Sequence, residues 1–173
     1  FEEKIVWVKG MSGSERRLAF MRGDLNATRE NPAAYKKHVM PIIEKGDAYT
    51  WFHHGLLNVA TGNHDNDPNF TEPTFEALFE STYGVAPSGD FYDAYKLVKS
   101  WRDALQKAFW VNAGNPNKDK LVAALNKMIS DPESVAAIEK KVGKYEWRTG
   151  ADGDAAVRTL KSLITPGALK TLT

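Results

Sequence analysis

Proline directly after a helix-capping residue recurs through this chain, at Asn31-Pro32, Asn115-Pro116, Asp131-Pro132 and Thr165-Pro166, with a related start at Thr71-Glu72-Pro73. A proline in the first helical turn gives up only an N–H that would lack an intrahelical partner anyway, and the Asn, Asp or Thr before it accepts from the amides that follow. Each pair therefore predicts a helix start. Together they cut the chain into short elements.

Between these starts the apolar runs predict strands. Ile5 to Val8 reads as a strand, Lys9 to Ser14 as a small-residue turn, and Glu15 to Asp24 as a helix closed by Gly23. A second strand at Leu25 to Thr28, a helix from Pro32 to Lys45 and a strand from Ala48 to His53 follow. Strand–helix units in succession predict a parallel sheet with right-handed crossovers, hence an α/β architecture. The segment Asn58 to Thr71 is too polar for a core and reads as a surface loop leaving the sheet. In the second half Phe75, Leu78 and Phe79 form one apolar face; Tyr92, Tyr95 and Val98 form another; Leu121, Val122, Leu125, Met128 and Ile129 make a stripe at helical spacing. Ala108 to Val111 reads as a buried strand, Ser134 to Val142 as a helix, Tyr145 to Trp147 as a short strand, and Asp152 to Ile164 as a further helix.

Composition narrows the function. With 173 residues the chain can hold one ordinary core, or one and a part. Its 23 basic and 22 acidic residues cancel, so no global field argues for nucleic acid or an anionic membrane, and any anion recognition must be local. There is no cysteine, which removes thiol catalysis, a cysteine-based zinc site and a disulfide framework. No apolar run approaches the ~18 residues of a membrane span, and we read no signal peptide within the sequence. The first residue is Phe1 rather than Met, so we expect a leader or a whole domain to precede it.

The turn at Ser12-Gly13-Ser14 has two readings. Helix N-terminal amides and two hydroxyls could hold a carboxylate, or Ser12 and Glu15 could form a capping box that satisfies the same amides internally. Ligands of open parallel sheets lie beyond the carboxyl ends of the strands, which would place Gly10 to Ser14, Thr28 to Glu30 and His53 to Gly55 on one rim, with Arg29 able to pair with a carboxylate. Gly62-Asn63-His64-Asp65 matches a motif of two-metal phosphoesterases, but only His38, His53, His54 and His64 exist, and none follows His64. That leaves too few ligands for two metals. His53 and His54, adjacent in a strand, would point to opposite faces. No phosphate-binding loop, dinucleotide fingerprint or nucleophile elbow occurs, so neither a cofactor nor a metal is expected.

The run Trp7 to Asp24 resembles the segment "V-x-G-Y-x-G-x-x-E-x-x-L-A-x-x-R-G-E-V-D" of the extracytoplasmic solute-binding proteins of tripartite tricarboxylate transporters. Further motifs agree in order: Phe70 to Phe75 with a "V-P-T-F/L" helix start, Asn115-Pro116 through Asp131-Pro132-Glu133, Thr149-Gly150-Ala151-Asp152, and Thr165-Pro166. The resemblance implies a three-layer sandwich with a mostly parallel sheet, the second lobe of a type II periplasmic binding protein, spanning 1–105, with 106–173 returning toward a first lobe that lies before Phe1. It implies periplasmic capture of a small organic acid, delivery to membrane transport subunits, and no catalysis. Carried over by position, Gly10, Ser12, Gly13, Ser14, Asp24, Thr28 and Arg29 would face the ligand, joined by His53 from the rim. An α/β enzyme with its catalytic residues in the missing half, and the ligand-sensing domain of a regulator, stay open as alternatives.

Overall fold

The computed structural model describes residues 4–105, 108–142 and 147–173, in two compact units, 1–48 and 49–173. Among the described residues the expected parallel sheet is not there. The chain is 55% helical, and among the described residues the only sheet is a two-stranded antiparallel pair, β1 (Leu56–Leu57) and β2 (His64–Asp65). A three-layer α/β sandwich is therefore excluded for this chain.

The reason lies in what a strand needs. Ile5 to Val8, Leu25 to Thr28 and Ala108 to Val111 are apolar enough for strands, but none of them pairs in a ladder, and an unpaired strand leaves its polar backbone to water. Val6 is 91% exposed, Phe109 76% and Trp110 73%, so the run at 108–111 is not buried either. The Ala48 to His53 segment contributes one parallel bridge, His53 to Thr74, and nothing more. The short strand expected at Tyr145 to Trp147 falls largely outside the described residues.

Helices fare differently because their signals are local. In the first unit α1 (Gly13–Met21) starts at a complete capping box: Ser12 Oγ accepts from the Glu15 amide at 3.4 Å, and Glu15 Oε2 accepts from the Ser12 amide at 2.6 Å. These bonds hold the Glu15 carboxyl below its ordinary value. It ends in a Schellman turn, Gly23 N–H to Phe20 O and Asp24 N–H to Ala19 O, with Gly23 at φ +81°. The helix expected from Pro32 to Lys45 forms in three pieces: α2 (Pro32–Ala34), a π-helical turn (Tyr35–Val39) and α3 (Met40–Glu44). Pro41 explains the break. It has no N–H for the carbonyl one turn back and its ring crowds that carbonyl, so the preceding turn widens and Met40 N–H reaches Tyr35 O.

The second unit is built on α4 (Phe75–Tyr83), α5 (Asp90–Leu105), α6 (Lys118–Ile129), α7 (Pro132–Val142), α8 (Gly150–Ser162) and α9 (Pro166–Leu172). The caps at Asp131 and Thr165 form as expected, each side chain accepting from the amide three residues on. Two other starts shift: Asn117 rather than Asn115 precedes α6, and Thr74 caps α4 just past Pro73. The core sits where α5 meets α9, on Ala94, Leu97 and Ala168 with Leu163 against them. Small residues allow this approach. A side chain at Gly167 would overlap the Asp90 carboxylate. Leu160 on α8 is wholly buried.

Candidate functional site

Three groups of polar side chains compete for a functional reading. The first is the Ser12–Ser14 turn. The chain itself fills the anion positions there: Glu15 closes the capping box, and Glu30, whose side chain is 7% exposed, pairs with Arg17 beside Gly13. Ser14 Oγ lies 3.2 Å from Ser12 Oγ. Gly10, Ser12, Ser14, Asp24, Thr28 and Arg29 are exposed, and Asp24 pairs with Arg22 at 2.9 Å. The segment 28–30 does reach the turn, but through Glu30 rather than Arg29. Of the candidate ligand residues, His53 alone belongs to the second unit.

His53 is buried, and both ring nitrogens are engaged. The Gly55 amide donates to Nδ1 at 3.0 Å, and Nε2 lies 3.1 Å from Asn66 Oδ1, which assigns the proton to Nε2. Its ring stacks on Phe70 at 5.0 Å. His54 points elsewhere, its Nδ1 2.7 Å from the Tyr95 hydroxyl. Burial first, then the Lys99 ammonium, pushes His54 down to about 4.

The second group could not be read from spacing. His64, from β2, has Nδ1 3.4 Å from Glu76 Oε1 in the first turn of α4, and Nε2 3.1 Å from Ser100 Oγ on α5. Tyr92 donates to the same Glu76 oxygen at 3.2 Å. Burial works to raise the Glu76 carboxyl, but the bonds from His64 and Tyr92 outweigh it and hold the group below its ordinary value. Burial and the Glu76 charge push both Tyr92 and Tyr95 up. Acid, imidazole and hydroxyl in line have the order of a Ser-His-Glu triad. Two conditions of that chemistry fail here. Ser100 and the His64 ring are 0% exposed, and neither of the clefts described next includes them. Ser100 also lies inside α5, where the neighbouring amides bond along the helix and no pair is free to form an oxyanion hole. The group instead ties β2, α4 and α5 together. Only His64 carried a sequence signal, through a motif belonging to another chemistry.

The third group opens to solvent. A cleft of about 310 Å³ runs along α5 and α9, lined by Phe91, Ala94, Tyr95, Val98, Leu172 and Thr171, with Lys99 and Arg102 as its cations. An apolar cleft of about 330 Å³ adjoins it through Val98, with Leu97, Trp101, Ile164 and Leu169. Helical spacing puts Lys99 and Arg102 on one face, one turn apart. Lys99 is 13% exposed and ion-paired with Asp103, while Arg102 is exposed. Burial pushes the Lys99 amine down to about 8, against the pull of Glu76. It is still mostly charged at pH 7. Among the described residues no three His, Asp or Glu side chains converge closely enough to hold a metal ion.

Comparison with protein-family models, with curated proteins and with solved structures gives no match for the chain.

Proposed function

We propose that the second unit binds a small organic carboxylate with an apolar body. The observation that carries this reading is the cleft along α5 and α9, where Phe91, Tyr95, Val98 and Leu172 supply an apolar lining and Lys99 and Arg102 supply positive charge. A carboxylic acid matches that pairing: its hydrocarbon part leaves water while its charge meets a guanidinium that can pair with it through two hydrogen bonds. Because the cleft is open, affinity on the order of 1 mM is expected, a standard binding free energy of about −4 kcal/mol. Capture of such an acid in the periplasm for membrane transport subunits is the setting we propose for it. What supports the setting is the ordered set of motifs alone.

The test is a thermal-shift and calorimetric screen of carboxylic acids graded by apolar size, at low ionic strength. Binding to the native state raises the midpoint, more for larger apolar bodies. Arg102→Ala should weaken binding at least fivefold with little loss of stability, because Arg102 is exposed. If no acid at 10-fold the expected ~1 mM dissociation constant raises the midpoint, or if Arg102→Ala binds as well as the parent, the proposal fails.

A further inference from the structure

Lys99 differs from a simple counter-charge. Its side chain is almost withdrawn from water, yet it lines an open cleft, and its neighbours along α5 are Tyr95 and Lys96 one turn before and Arg102 and Asp103 one turn after. Glu76 of α4 and His54 of the bridge segment act on it electrostatically from outside the helix. The ion pair with Asp103 favours the ammonium while desolvation favours the neutral form that carries the lone pair, so the side chain can serve as a cation and, when it gives up its proton, as a nucleophile.

We propose that Lys99 captures 2-oxo carboxylic acids as a reversible imine, with Arg102 taking the adjoining carboxylate. This rests on the carboxylate-binding reading of the same cleft and narrows its ligand class to acids with a carbonyl next to the acid group. In the step, the neutral Nζ donates its lone pair to the carbonyl carbon and a C–N bond forms. Nζ then gives up both its protons to the former carbonyl oxygen, and as the C–O bond breaks and that oxygen leaves as water the nitrogen lone pair closes the C=N bond, so amine plus ketone gives imine plus water with no oxidant or reductant. The carboxylate of such an acid sits one bond from the reacting carbon. A cation one helical turn from the amine can therefore hold it while the carbonyl meets Nζ. Burial pushes the amine down to about 8, so near pH 8 a larger share of it is neutral than of a free lysine.

The experiment is reductive trapping on the whole chain: phenylpyruvate with sodium cyanoborohydride, followed by intact mass and peptide mapping, alongside phenyllactate, which has the same acid and ring but no carbonyl. The expected result is one adduct per chain on Lys99, formed at least tenfold faster than on the exposed Lys118 and Lys120, with a rate that rises through pH 8. Arg102→Ala should slow trapping of phenylpyruvate more than that of the uncharged phenylacetaldehyde. Lys99→Arg should lose the adduct; mapping in the parent chain decides the matter even if that variant does not fold. Adducts scattered over surface lysines, with phenyllactate still raising the melting midpoint, would overturn the imine and leave carboxylate binding standing. Absence of both adduct and midpoint shift would overturn both.

Discussion

At the scale of single residues, the histidines show how neighbours decide a side chain's use. His53 and His54 are adjacent, yet one is stacked on Phe70 and bonded to Asn66 while the other meets Tyr95. Burial keeps His54 neutral well below its ordinary range, to about 4. The sign of the resulting pH dependence follows from proton counts. Between pH 6.5 and about 4 the unfolded chain holds a proton on His54 that the folded chain lacks, so stability is fully present above pH 6.5 and falls as pH drops through this window. Glu76, held below its ordinary value, loses its contribution at still lower pH, in the same direction. Urea denaturation at pH 7.5, 6, 5 and 4.5 should show this decline. In His54→Gln the slope between pH 6.5 and 5 should flatten, and an unchanged slope would assign the loss to another group.

At the scale of elements, the hairpin rests on two glycines. A Cβ at Gly55 would lie 2.5 Å from the Asp65 carbonyl, and the residue has φ +68°. Left-handed backbone costs about 1–2 kcal/mol for other residues, and forcing the overlap adds ~1–3 kcal/mol. Gly55→Ala should therefore lower stability by ~2–5 kcal/mol in urea titration. Gly114, at φ +75° with open space around it, is the control, where Ala should cost about 1 kcal/mol. Gly62, the other hairpin glycine, would press a Cβ against Leu163 at 3.2 Å.

Elements also show what could be read without coordinates. The Ser12–Glu15 capping box, the Gly23 stop and the caps at Asn31, Asp131 and Thr165 were legible because each is a bond between residues a few positions apart. Strands were not. Ile5 to Val8 and Ala108 to Val111 have the composition of strands, and composition cannot supply a partner. The His64–Glu76–Ser100 group was hidden for the same reason, its members coming from three elements. Lys99 and Arg102 were not singled out in the sequence, since nothing there signals that α9 would wall their face.

At the scale of the molecule, the chain divides at Ala48 and Tyr49, and each unit has its own contacts. Tyr49 is 83% exposed and follows the Gly46 turn, so backbone near it should be open to proteases. Brief chymotrypsin digestion should cut first at Tyr49 or Trp51. The fragment beginning there contains the whole cleft, so it should bind the same carboxylates as the intact chain. First cleavage inside α5 or α9 would contradict the division.

What the sequence by itself determined is where those helices begin whose caps are local, at Ser12, Asn31, Asp131 and Thr165, since caps, prolines and glycines act over one turn of chain, together with the exclusion of thiol chemistry that an absence of cysteine entails. Tertiary structure alone decided that apolar runs would stay unpaired rather than build a parallel sheet, that Glu30 would pair with Arg17 beside the anion-facing turn, and that Lys99 would be withdrawn from water beside an open cleft. Pairing, burial and the resulting chemistry of a side chain depend on residues distant in sequence, and only the folded chain brings those together.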